Sequence, residues 1–203
     1  PMVMSMLVTI IYNLADTFFV GQTGDPNQVA AVSLTMPVFL VFLALGNMFG
    51  IGGGSFISRS LGAKQEERAK NISSFSFYAS IVVGVIMIGV FLLGMPIILK
   101  FIGASENTSG FSRDYLTYVA LGAPFCILSQ ALTHITRSEG AARQAMVGMM
   151  LGTITNIILD PIMILWMGMG VKGAAIATVI GNMAGVVYYN LYLKKDADTF
   201  DFT

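Results

Sequence analysis

Charge is what this sequence is short of. Eleven basic and eleven acidic side chains serve 203 residues, less than half of the roughly 25% that water-soluble domains carry. Cysteine occurs once, at Cys126, which excludes an internal disulfide and a thiolate metal cluster. Within its apolar surroundings the thiol reads as a small hydrophobe. Histidine also occurs once, at His134, and alone near the end of an apolar stretch it reads as an interfacial polar side chain. The opening residues lack a basic start and a small-residue cleavage site, so no secretory signal is expected. The zero net charge says nothing about partners; no nucleic-acid partner is expected. No nucleophile–base pair or phosphate loop is present, and an enzyme is not expected.

What fills the chain instead is hydrocarbon. Residues 26–58, 71–99, 115–136 and 173–193 carry no formal charge, and each exceeds the roughly 20 residues that cross a bilayer as a helix. Two further apolar runs, one from the start to about residue 20 and one from about residue 145 to 166, each enclose an aspartate: Asp16 and Asp160. A transmembrane barrel would need segments of about 10 residues alternating polar and apolar, whereas these are unbroken blocks. The expected fold is an all-α membrane protein, a six-transmembrane-helix bundle with helices near 1–20, 29–57, 71–99, 114–136, 143–167 and 173–193.

The loops differ in charge. Those after the second, fourth and sixth spans hold Arg59, Lys64, Arg68, Lys70, Arg137, Arg143, Lys194 and Lys195; the opposite loops hold Lys100, Arg113 and Lys172. The bias predicts a cytoplasmic N-terminus and tail after the sixth span in a multi-pass protein of the cell's inner (plasma) membrane, bacterial in style. At about 1.5 Å of rise per residue, Asp16, Asp160 and Thr178 then lie roughly 7, 12 and 9 Å below the outer ends of their helices.

Those acids are the anomaly. An ionised aspartate at mid-helix costs about 2.5–3.5 kcal/mol on insertion scales, and no Lys or Arg lies at matching depth in any span. Asn156 precedes Asp160 by four residues and Tyr12 precedes Asp16 by four, so each pair shares a helix face; Asn13 stands three before Asp16. Carboxylate, amide and hydroxyl oxygens suit a hard cation such as Na+. The same cluster could hold H+, because two carboxylates in low dielectric do not both ionise cheaply. Pro161, directly after Asp160, is expected to kink the helix and free carbonyls near Ile157.

Three stretches, "YNLADTFFVGQTG", "GIGGGSFISRSLGAKQEERAK" and "NIILDPIMILWMGMGVKGAAIAT", resemble the multidrug and toxic compound extrusion (MATE) transporters over nearly the whole chain. The resemblance implies the N-terminal six-helix lobe of a twelve-helix transporter, whose partner is a second six-helix lobe that this chain lacks. It makes 1–193 that one lobe and 194–203 the start of a cytoplasmic linker. It implies a cation-coupled (Na+ or H+) multidrug antiporter, working by alternating access on amphiphilic or cationic small molecules. Its implied coupling site comprises Asp16, Asn156, Asp160 and Thr178, with Tyr12 close by; no further cofactor is implied. The alternatives are a lipid-linked precursor flippase of the same superfamily and a non-transporting membrane scaffold subunit.

Lesser signals point to packing. The "GIGGG" run lacks the Gly-Lys-Ser/Thr ending of a phosphate loop and is expected to seat helices closely, as are Gly84, Gly89, Gly94, Gly148 and Gly152. Met36, Phe39, Met146 and Met149 are candidate linings for apolar cargo. Residues 58–70, with mixed charges, are expected to form a helix lying on the membrane surface.

Overall fold

The computed structural model describes residues 2–196, and all of their regular structure is helical. The elements are α1 (Met2–Gly21), α2 (Pro26–Gly62), α3 (Glu66–Phe101), α4 (Glu106–Leu121), α5 (Ala123–Ser138), α6 (Ala142–Asp160), a π-helical extension of α6 (Pro161–Trp166) and α7 (Val171–Asp196). The basic pair expected to open a linker, Lys194 and Lys195, belongs to the last turn of α7; residues 197–203 of that expected linker lie outside the described residues.

Helix limits follow from local chemistry. Asp25 caps α2, its carboxylate accepting the Asn27 N–H at 2.9 Å, and Pro26 supplies a helical φ where no N–H is needed. Ser105 and Thr108 form a reciprocal capping box at the start of α4. This start lies eight residues before the expected 114, because Glu106, Arg113 and Asp114 sit in the first turns of the helix and not in a loop. A left-handed Gly140 (φ +87°) ends α5.

The fourth expected span is not one helix. α4 and α5 meet at 57°. Pro124 has no N–H to offer the Ala120 carbonyl, and Gly122 lies where Val179 of α7 would strike any Cβ. The expected surface helix over 58–70 is also absent. Its residues are the last turn of α2, a tight turn with Lys64 at φ 57°, and the first turn of α3.

α2, α3, the α6 span with its extension, and α7 are each long and apolar enough to cross a membrane, and the bent α4–α5 pair makes a fifth such crossing. In α1 the apolar helix counted is Met6–Gly21, shorter than a full span. α2 and α3, 37 and 36 residues long, reach about 55 Å at 1.5 Å per residue, well beyond a ~30 Å hydrocarbon core, so their charged ends project past it.

The core has two parts. One gathers Val20, Phe42, Phe91, Leu116, Ile127, Ile164 and Ala174, with the Phe42 and Phe91 rings 4.9 Å apart. The other gathers Ile57, Phe77, Leu132, Ile135, Tyr189 and Leu193. Glycine makes the closest approaches, but not at all the expected positions. Gly46, Gly50 and Gly54 seat α2 on α5, Gly84 seats α3 on Pro124, Gly148 receives the Tyr189 ring, and Gly152 meets Gly181 backbone to backbone. A Cβ at Gly52 or Gly89 would meet nothing within 4 Å, and one at Gly94 only the tip of Ile98. Leu93, Phe101 and Trp166 are at least 86% exposed, as befits surfaces whose solvent is lipid.

Candidate functional site

α6 carries Asn156 and Asp160 one helical turn apart on its buried face, 1% and 0% exposed. The Asn156 amide has two orientations. In one, Nδ2 donates to Asp160 Oδ1 at 3.4 Å. In the other it donates to Asp160 Oδ2 at 3.3 Å while its carbonyl accepts the Thr178 N–H at 3.1 Å; we adopt the second because both ends of the amide are then paired. Thr178, also buried, gives its only hydroxyl proton to the Ala174 carbonyl at 3.0 Å. The 3.1 Å contact between Tyr12 and Thr178 hydroxyls therefore has Tyr12 as donor. That bond ties α1 to α7.

Asp16 faces this group from α1. It is 5% exposed, within electrostatic range of Asp160, Tyr12 and Tyr115, and its Oδ1 has no hydrogen-bond partner. A buried carboxylate oxygen left unpaired costs several kcal/mol and needs a proton or a cation to complete it. Among the described residues no three His, Cys, Asp or Glu side chains cluster. A cation here would be held by two carboxylates, with amide and hydroxyl oxygens beside them, a donor set of hard oxygens that fits Na+.

Asp16, Asn156, Asp160, Thr178 and Tyr12 are thus brought together. Asn13 is not among them: it is exposed, its carbonyl accepts the Thr17 hydroxyl at 3.0 Å, and it faces the adjoining cavity. Tyr12 and Asn13 point 100° apart around α1, so only Tyr12 turns toward α7. At Pro161, where a kink is expected, the chain takes a π-helical turn over Pro161–Trp166. The span Ala142–Trp166 continues, and the ladder widens after Asp160 so that the Met167 N–H reaches the Ile162 carbonyl at 2.9 Å. The widening absorbs the missing proline N–H, and such π-helical turns recur at functional sites.

Sequence reasoning missed Tyr115. Its side chain, 6% exposed, enters the cluster from α4 within electrostatic range of Asp16, Tyr12 and Asp160. The Ser105–Thr108 capping box was the available signal, since it starts α4 early and carries Tyr115 roughly 14 Å inward. Cys126, free and buried, lies within electrostatic range of both tyrosines.

Next to the cluster, α1, α2, α5, α6 and α7 enclose a cavity of about 430 Å³. Tyr12, Asn156 and Thr178 form its wall on the carboxylate side, and Met36, Phe39, Met149, Gln130 and Asn182 line the remainder. Of the apolar candidates, Met146 alone stays out of the lining. No lining residue carries a charge. His134 is elsewhere, bonded to Asn47 Oδ1 at 3.0 Å.

An all-helical lobe with two buried carboxylates within electrostatic range of each other, beside a neutral cavity, has the form of a membrane transporter half. The sequence profile of the MatE family matches residues 1–162. "Multidrug export protein MepA" of Staphylococcus saprophyticus is 40% identical over 198 residues, 98% of this chain and 44% of that protein. Its Staphylococcus aureus counterpart shows the same identity and coverage. Two solved structures superpose over the whole chain and 45% of theirs at a TM-score of 0.93 and 34% identity. They are the outward-facing conformation of a multidrug resistance MATE family transporter of the MOP superfamily, and a MOP superfamily transporter from Pyrococcus furiosus for which reverse polarity of the binding pocket suggests a different function. This chain belongs to the MatE family. It spans about half the length of the relatives it matches.

Proposed function

We propose that this chain is the N-terminal lobe, residues 1–193, of a secondary active multidrug exporter in which Asp16 and Asp160 hold a coupling Na+ or H+. The observation that carries the proposal is the unpaired Asp16 Oδ1, buried within electrostatic range of Asp160 with no cationic side chain in the cluster.

In this reading Asn156 and Thr178 complete the ion's surroundings, and Tyr12 reports occupancy to α7 through its hydroxyl bond. Emptying the site leaves two carboxylates facing each other away from water, which raises the free energy of that packing of α1 against α6 and α7. The ion gradient thereby biases one of two packings, the requirement for alternating access. The neutral cavity, with methionine, phenylalanine and amide side chains, suits amphiphilic compounds, including cationic ones. A second six-helix lobe closes its open side, and the charged-loop bias sets the N-terminus in the cytoplasm. A lipid-phosphate flippase would require basic residues in the cavity, and the lining has none.

The test is ion-gradient-driven dye efflux from proteoliposomes carrying the full transporter with Asp16→Asn or Asp160→Asn. Unchanged efflux from both variants ends the proposal. Isothermal titration with Na+ at several pH values then separates the two ions: displacement of Na+ by acid indicates a shared site.

A further inference from the structure

A second concavity, of about 410 Å³, lies between α2 and α3. From α2 come Met48, Gly52 and Phe56, which repeat every fourth residue and so form one stripe. Across from them α3 supplies Arg68, Ile72 and Phe75. Met48, Phe56 and Phe75 are 57%, 54% and 69% exposed, and a Cβ at Gly52 would meet nothing within 4 Å. The result is a trough with aromatic walls and an open glycine floor, on a membrane-crossing pair of helices. On spans of this length and composition such a trough faces acyl chains.

Arg68 stands at one end. It is exposed, its guanidinium donates to Gln65 Oε1 at 3.4 Å, and among the described residues no carboxylate pairs with it. The trough continues to Ser76, eight residues and roughly 12 Å further along α3, a run that accommodates the upper part of a lipid tail. Among the described residues, the end of the lobe around Arg68 carries more basic than acidic side chains. The Ser58 hydroxyl bonds the Ser138 carbonyl at 3.2 Å and Tyr189 bonds the Ala145 carbonyl at 2.8 Å, which puts the α2–α3 turn, the α5–α6 turn and the close of α7 at one end. Arg59, Lys64, Lys70, Arg137, Arg143, Lys194 and Lys195 join Arg68 there, against Glu66, Glu67, Glu139 and Asp196.

We infer that this groove binds one anionic phospholipid from the leaflet at that end, its phosphate on the Arg68 guanidinium and one acyl chain over Gly52 between Phe56 and Phe75. The planar guanidinium matches a phosphate with two parallel N–H bonds, and the basic field attracts anionic headgroups over zwitterionic ones. Headgroup selection and tail binding rest on different residues and can be separated.

The experiment uses the purified transporter containing this chain, stripped of lipid and titrated with phosphatidylglycerol or phosphatidylcholine of identical acyl chains, with bound lipid counted by native mass spectrometry. Phosphatidylglycerol is expected to bind in preference. Arg68→Gln weakens it by about fivefold and leaves phosphatidylcholine unchanged. Gly52→Leu, whose Cβ meets nothing within 4 Å, extends into the trough and weakens both lipids. Arg113→Gln, exposed at the other end of the lobe, changes neither. Equal binding of the two lipids, a preference that survives Arg68→Gln, binding indifferent to Gly52→Leu, or an equal loss with Arg113→Gln would each overturn the inference.

Discussion

Two buried polar clusters hold this lobe together, and they are built on opposite principles. Around Tyr189 the pairing is closed: its hydroxyl donates to the Ala145 carbonyl at 2.8 Å and stands 3.0 Å from the Thr133 hydroxyl, with its ring filling the space left by Gly148. Around Asp16 the pairing is open, with one carboxylate oxygen unmatched and the Asp160 carboxylate within electrostatic range. A closed cluster fixes α5, α6 and α7 in one arrangement. In the proposed function, an open one makes the seat of α1 depend on what occupies it. α1 is built for that dependence, since among its described side chains only Asp16 and Val20 are buried.

The contrast is sharpest for the acids. Replacing Asp160 or Asp16 by Asn is expected to reduce gradient-driven efflux by about 5- to 150-fold, the span of typical coupling free energies, with thermal stability equal or higher because a neutral amide is cheaper to bury. An equal loss per folded molecule from Tyr189→Phe would erase the distinction between the clusters. Gly148→Leu drives a side chain into the Tyr189 ring and is expected to cost about 1–3 kcal/mol, read as a lower denaturation midpoint in detergent. Tyr189→Phe removes only the hydroxyl and should cost about 0.6–1.7 kcal/mol, with efflux per folded molecule retained. Smallest is Tyr12→Phe, which deletes the α1–α7 bond worth about 0.5–1.5 kcal/mol. Its readout is the ion concentration that half-saturates transport, shifted about two- to tenfold, with stability little changed.

The open cluster was legible in the sequence for a physical reason. A carboxylate in an apolar run has few explanations, and the i to i+4 spacing of Asn156 with Asp160 and of Tyr12 with Asp16 puts their oxygens on the same faces without knowledge of the fold. Tyr115 had no such anomaly to announce it. A tyrosine in a membrane helix is ordinary, and placing the fourth span's start by charge set it at the surface. Asn13 failed in the other direction: three residues before Asp16 and four residues before it are both near neighbours on a helix, and only the position of α7 decides between them. The break at Gly122 was written locally in Gly-Ala-Pro. Pro161 announced a missing N–H but not the widened turn that absorbs it, which comes with Gly173 packed against the Met163 backbone.

Trp166 ends the widened turn six residues after Asp160, 86% exposed, and it is the only tryptophan in the sequence. The lobe therefore carries its own fluorophore at the end of the segment adjoining the carboxylates. Its emission, free of overlapping indoles in this chain, offers a label-free record of whether that segment responds to added Na+ or to a change of pH.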